Sequence, residues 1–253
     1  MRRAFLFFLG TVFTGSHILF ASQIILDGFH KEIYPNGVVK SEGYYHTGER
    51  EGVYKEYYEN GDLKLVAHYI DGHLNGMFIE YHLNGQIKEE GSYILGKKEG
   101  MFKEYYLDGT VRFIYSYKNG ELNGFWKKFS EKGDLFEEIN FVEGVASGVH
   151  RSYYPNGNLK TEWTTIVEDG HDVQHGPFRE HYENGLLKSE GNMHNGAFHG
   201  VFQDYDESGR LISQRQYQFG RRDGQFQKFD DKNFISQKIY DNGRRVDRFE
   251  DSQ

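Results

Sequence analysis

Gly52-Val53-Tyr54-Lys55-Glu56-Tyr57-Tyr58-Glu59-Asn60-Gly61-Asp62-Leu63-Lys64-Leu65-Val66-Ala67-His68-Tyr69 is the stretch from which the whole fold can be read. Its first seven residues, rich in aromatics and bounded by glycine, read as a strand. Asn60-Gly61 then marks a hairpin, since Asn-Gly suits a type I′ turn with positive φ at both central residues. Leu63 to Tyr69 is the return strand. Asp71-Gly72 opens a second turn that ends at Gly76, where the next unit begins. Each unit is therefore a hairpin plus a linking turn, too short for a parallel crossover, and a continuous antiparallel meander follows.

The unit recurs. Asn36-Gly37, Asn60-Gly61, Asn84-Gly85, Asp108-Gly109, Lys132-Gly133 and Asn156-Gly157 are spaced by 24 residues. After one step of 28 come Asn184-Gly185, Ser208-Gly209 and Lys232-Asn233. About nine copies fill residues 28–248, and a fixed period of this size signals a repeat architecture. The expected fold is all-β: one elongated, twisted antiparallel sheet of tandem ~24-residue hairpins, about eighteen strands and on the order of 85 Å long at ~4.8 Å per strand. Residues 22–253 form a single repeat domain in this reading.

Composition agrees. Aromatics reach 17% while all apolar residues amount to 37%, with 31 glycines and three prolines. Tyr54, Phe78, Phe102, Trp126, His150, Phe178, Phe202 and Phe226 form one column, and Tyr57, Tyr81, Tyr105, Phe129, Tyr153, His181, Tyr205 and Phe229 a second. Stacked copies turn such columns into ladders, each cross-strand pair contributing a few tenths to about 1 kcal/mol. The columns lie three residues apart, so either a bulge separates them or both faces carry rings.

The first 21 residues differ. Arg2 and Arg3 precede an apolar run to Ala21, the pattern of a secretory signal peptide; the alternative is an uncleaved N-terminal anchor, the one expected route to a membrane. Cleavage would move the net charge from −8 to −10, because two arginines and no acid are lost. The absence of cysteine excludes a disulfide framework and lipidation at Cys. An acidic chain that interleaves Lys with Glu does not suit general nucleic-acid binding.

These residues together, Gly-x-aromatic-x-x-Tyr-Tyr-x-Asn-Gly-x-Leu-Lys-x-Glu-x-x-Tyr-x-x-Gly-x-x-x-Gly, resemble the MORN-repeat variant found in many bacterial proteins, over residues 28 to about 248. Gly76 to Gly96 and Gly176 to Gly196 are among the cleaner copies. The resemblance implies a curved antiparallel sheet used as a binding or assembly surface. Some relatives are labelled antitoxins.

Chemistry is sought where a unit departs from the pattern. The four-residue expansion within residues 163–181 brings Glu168, Asp169, His171, Asp172 and His175 together in sequence. It reads as a metal-site candidate, chiefly His171, His175 and Asp172, or as a longer solvated turn. His150 and His181 replace rings in their columns and read as stacked. No nucleophile elbow or phosphate loop occurs, and neighbouring acids such as Glu89-Glu90 and Glu137-Glu138 face opposite ways on a strand. The tips of the second turn vary from copy to copy, and a varied edge on a regular scaffold suits recognition. Partner-binding candidates are Phe198 and His199 on that edge, and a strip of tyrosines at Tyr58, Tyr106, Tyr154 and Tyr182.

The expected function is a non-enzymatic scaffold without cofactor, secreted or placed in the periplasm or cell envelope, engaging a protein or a cell-surface component. An antitoxin-like neutraliser of a cognate toxin is the alternative, and a metal-dependent enzyme at residues 163–181 comes last.

Overall fold

The computed structural model describes residues 27–230 and 233–246, and the expected leader at residues 1–21 lies outside them. The described residues form one open antiparallel sheet of twenty strands, with no helix. Glu49–Tyr57, Leu63–Ile70, His73–Tyr81 and Ile87–Ile94 show the rhythm of nine residues out and eight back. The count exceeds eighteen for two reasons. One outgoing strand is interrupted at Ser147 into Val145–Ala146 and Gly148–Tyr153, and Arg244–Arg245 adds a short strand after the last hairpin.

The two turns exchange the roles expected of them. At the Asn-Gly turns only the glycine has positive φ, as at Gly61 (91°). Gly61 N–H donates to Tyr58 O and Tyr58 N–H to Asp62 O, so a type I turn followed by a left-handed residue closes the loop. The type I′ turns are the linking ones, where both central residues have positive φ: Thr47-Gly48, Asp71-Gly72, Leu95-Gly96 and six more. Asparagine at position 60 serves hydrogen bonding instead. Its Oδ1 accepts from Asp62 N–H at 3.0 Å, and in Asn36 and Asn84 the Nδ2 also donates to a carbonyl of the next turn, Glu59 O and Leu107 O.

Rings occupy both faces. Tyr54 and Tyr57 point oppositely, and the register shift lies at Glu56/Tyr57, where Lys64 of the return strand has no partner. On one face, here the ladder face, cross-strand partners run unbroken from Lys31 through Glu42 and Lys55 to Gln237. In its central stretch the row alternates in sign: Lys127–Glu138 (3.2 Å), Glu138–Arg151 (3.1 Å), Arg151–Glu162 (2.7 Å), Glu162–Arg179 (3.4 Å) and Arg179–Glu190 (3.8 Å). Exposed pairs of this kind contribute little singly. Their alternation opposes slippage, since a one-residue shift would turn every member to the other face. Tyr57, Tyr105, Tyr153 and Tyr205 donate from the flank of this row to Glu42, Glu90, Glu138 and Glu190 at 2.7, 2.6, 2.8 and 3.0 Å. Where the row holds Ile114 instead, the flanking ring is Phe129, which has no hydroxyl to place.

The opposite ring face carries the core. Phe102 is 0% exposed although the sheet is a single layer. Its ring lies across Gly91 of the neighbouring strand, with Tyr93 and Tyr117 edge-on at 5.5 and 5.4 Å. Lys98 Nζ sits 4.4 Å above the ring and is held by Glu89 at 2.5 Å. Arg50 covers Tyr54 in the same way at 3.9 Å, and Phe198 covers Phe202 at 4.3 Å. Ring pairs are worth about 0.5–1.5 kcal/mol each beyond their area, and a cation over a ring about 0.5–1 kcal/mol.

Two stability outcomes follow from these contacts. A Cβ at Gly91 would lie 2.4 Å from Phe102 Cδ1, although Gly91 itself has no positive φ. Gly91→Ala is expected to lower stability in urea by about 1–3 kcal/mol, against the intrinsic preference of a strand for alanine. An unchanged urea midpoint would refute the ring-over-glycine account. Leu95 adopts φ 47° while 69% exposed, so it holds a left-handed conformation without burying its side chain. Leu95→Asn is expected to raise stability by about 1 kcal/mol, read from the same unfolding curves.

Candidate partner-binding surface

The tyrosine strip is not a free surface. Tyr58, Tyr106, Tyr154 and Tyr182 are half-buried at the hairpin edge, and each hydroxyl donates to a main-chain carbonyl of the next repeat. The acceptors are Tyr81 O (2.6 Å), Phe129 O (2.9 Å), His181 O (2.9 Å) and Tyr205 O (2.8 Å). They staple one repeat to the next. Ser130 takes the same position without a ring, and a hollow of about 430 Å³ opens there beside Phe136 and Tyr154.

The variable edge is also structural at two of its three tip positions. The second tip residue covers the ring four residues on, as Arg50 covers Tyr54 and Lys98 covers Phe102. Phe198 is that residue in its copy, its ring tilted against those of Phe202 and Tyr217. The third tip residue accepts from the next turn: Glu51 from Asp71 N–H at 3.0 Å, Asn75 from Leu95 N–H at 3.1 Å, Glu99 from Asn119 N–H at 2.7 Å. His199 occupies this position, half-buried against His194 and Phe219, with its Nδ1 buried and unpartnered. Phe198 and His199 thus take part in packing, and Phe198 stays 40% exposed.

The expansion is not a loop. It lengthens a strand pair, Leu159–Glu168 and His171–His181, by two residues on each side of an ordinary type I′ turn at Asp169-Gly170. Cross-strand pairing sets Glu168 opposite His171 and Val167 opposite Asp172, while His175 lies in the register shift, 3.1 Å from Asn195 Oδ1. His171, Asp172 and His175 thus fall at separate places. Among the described residues no group of three or more His, Asp or Glu is disposed to hold a metal. His150 is buried, stacks on Trp163 at 5.2 Å and contacts Thr165 Oγ1 at 2.9 Å. Burial pushes its pKa down, with Asp172 opposing, as suits a ring in a core column. Glu89 and Glu90 face opposite ways, toward Lys98 and Lys103.

What remains open is a row on the ladder face. Val53, Met77 and Met101, each immediately after a unit-opening glycine, are 49%, 51% and 52% exposed. Phe125, Val149 and Val201 continue the row. Two hollows separate the first three side chains. One, of about 250 Å³, lies between Val53 and Met77 over His68; the next, of about 280 Å³, lies between Met77 and Met101 over Ser92. The unit-opening glycines make this possible. Gly76, at φ 110°, sits in a register shift where residues 75–77 face His68 alone, so Phe78 turns to the core and Met77 outward. The sequence carried the signal: two adjacent residues that are both apolar on a strand cannot share a face, so one of Met77 and Phe78 had to point out.

Burial and the facing carboxylates push the Tyr57 and Tyr153 hydroxyls up to about 12. Ionisation would set a phenolate against Glu42 or Glu138. A folded-state value above the ordinary one near 10 means that stability is whole below about pH 10 and is lost as pH rises toward about 12. The thermal midpoint is expected to fall through that window, and less so in Tyr57→Phe/Tyr153→Phe. Equal alkaline sensitivity in both proteins would show that the loss arises elsewhere.

No curated protein matches the chain. The family model for the MORN repeat variant matches residues 26–46, 50–71, 74–94, 98–119, 146–166, 174–195 and 198–218. The hairpins between and beyond these matches, such as Glu121–Phe129 with Leu135–Val142, keep the same pairing. Repeats of this family are generally associated with scaffolds that bind proteins or membranes, and the family is typically non-catalytic. The matches cover more than half of the sequence, and the chain belongs to the MORN repeat variant family.

Proposed function

We propose that this protein is an exported, non-enzymatic scaffold that binds a protein or cell-surface component through the ladder face of its first four repeats. The observation that carries the reading is the exposed row Val53, Met77 and Met101 with the hollows between them. Apolar side chains recurring at one register position of a folded surface, with concavities between them, offer anchor points to a partner. Methionine suits such a role, being flexible and polarisable enough to adapt to a partner. Ile79 and Val66 lie in the adjoining row, and Lys103 and Glu90 frame the second hollow, giving an apolar centre with a polar rim. Export rests on the basic and apolar N-terminal segment.

Met77→Glu/Met101→Glu tests the reading against the native chain as bait in envelope extracts. The native protein should retain a specific partner, with affinity about tenfold or more above that of the double variant, the scale expected for loss of buried anchors. Tyr106→Phe, which removes only a staple between repeats, should bind as the native chain does. Equal retention by the Met77/Met101 variant, or no specific partner at all, would overturn the assignment.

A further inference from the structure

We propose that the last two repeats carry a binding site for a small oxyanion, a phosphate or sulfate group free in solution or borne as an ester on a soluble molecule. The site is a hollow of about 400 Å³ on the ring face, and Arg215, Arg222, Lys228 and Lys238 line it. Here three positions of the repeat depart from their usual side chains toward positive charge. Arg215 and Lys238 stand in the row that holds Gly43, Ala67, Gly91 and Gly191 in other copies, opposite the core ring. Lys228 stands where Glu56, Glu80, Glu104 and Glu180 stand elsewhere; Lys128 holds the same position in one other copy, without Arg or Lys in the cross-strand row that Arg215 and Lys238 occupy here. In a chain of net charge −8, four cations converging on one hollow are not a product of bulk composition.

Pairing brings them together. Arg215 and Lys238 both flank Phe226, on either side of it, and Lys228 lies between Ser213 and Ser236. One lining acid, Asp204, answers one of the four: it accepts from Arg215 Nη2 at 2.6 and 2.5 Å and also from the Ser213 hydroxyl. Arg222 lies over the Phe226 and Tyr240 rings at 5.2 and 5.3 Å and donates to Tyr240 Oη at 3.2 Å, so it is held in place without being neutralised. Lys228 and Lys238 make no ion pair among the described residues. Arg215 Nε is buried and meets no acceptor. Buried donors of this kind cost stability unless something accepts from them.

This donor set matches an oxyanion. Guanidinium forks bind phosphate or sulfate oxygens in pairs, and ammonium groups add unspecific charge. The cations are gathered in one concavity between side chains. Attraction to an anionic bilayer works through basic residues clustered along a surface, and the net charge of −8 opposes it. The geometry therefore favours a soluble ligand. The site lies on the other face from the Met77 and Met101 row and stands independently of the partner proposed there.

Calorimetric titration of the full chain with inorganic phosphate, inorganic sulfate and glycerol phosphate tests the proposal, beside sedimentation with phosphatidylglycerol vesicles. Saturable binding of at least one soluble oxyanion is expected. Lys228→Glu, which restores the acid of other repeats, and Lys238→Ala should each weaken it about tenfold, the loss of one charge-assisted contact. Neither side chain is paired, so thermal midpoints should hold. Lys160→Glu, near the Tyr154 ring and remote from the hollow, should bind as the native chain does. The proposal is overturned by absence of saturable binding, by binding that survives Lys228→Glu, or by vesicle binding without any soluble ligand.

Discussion

A sheet of one layer has nothing to fold against, and this constraint shapes every other feature of the molecule. Sandwiches and α/β folds hide apolar faces beneath a second layer. Here each core ring must be covered by its own sheet. The solution is to lay the ring along the neighbouring strand instead of standing it upright, which requires a neighbour with little or no side chain. Gly43, Gly91 and Gly191 meet that requirement for Tyr54, Phe102 and Phe202, and Ala67 stands between Tyr54 and Phe78. A ring placed so still has an upper surface in water, and the second tip residue of the linking turn, often Arg or Lys, closes it. Core, turn and surface charge are thus one device repeated along the chain.

The same constraint explains the edges. With a thin core, cohesion between repeats has to come from many small polar links placed where they cannot slip. The hairpin edge uses a tyrosine hydroxyl and an asparagine amide reaching to the next turn, and the linking edge uses a glycine N–H donated to the second tip residue's carbonyl at the preceding linking turn, as from Gly72 to Arg50. Each link joins only adjacent units, so stability should behave as a sum of unit and neighbour contributions, as in other solenoids. The alternating ladder then sets register without demanding burial. Tyrosine hydroxyls meet four of its acids, Glu42, Glu90, Glu138 and Glu190.

Much of this was legible in the sequence because the period is short and the turns are conspicuous. Strand positions, antiparallel order and the core column at Tyr54, Phe78 and Phe102 follow from spacing alone. Turn type did not. Asn60-Gly61 reads as type I′ by composition, yet the extra residue at Lys64 turns it into a type I turn with a left-handed glycine, while Leu95-Gly96 and Phe219-Gly220 adopt type I′ despite a poor first residue for it. Strand pairing overrides local preference there. The contacts of the surface side chains were hidden for a related reason. Tyr58, Phe198 and His199 have partners about one repeat away, beyond what one unit reveals.

Departures from a repeat are informative only when they change chemistry as well as length. The expansion at residues 163–181 is the longest departure in the sequence, yet it adds only two residues on each side of a turn, two cross-strand pairs, and leaves its histidines apart. The departures at Arg215, Lys228 and Lys238 add no residue and disturb no pairing, but they exchange glycine and glutamate for cations on one face. A scaffold whose regular positions are all engaged in holding neighbours together has few ways to acquire a function. It can use the outward row the bulge frees, at Val53, Met77 and Met101, or it can place cations beside a core ring where other copies keep glycine and glutamate, as at Arg215, Lys228 and Lys238. Both kinds of opening occur in this chain, on opposite faces and at opposite ends.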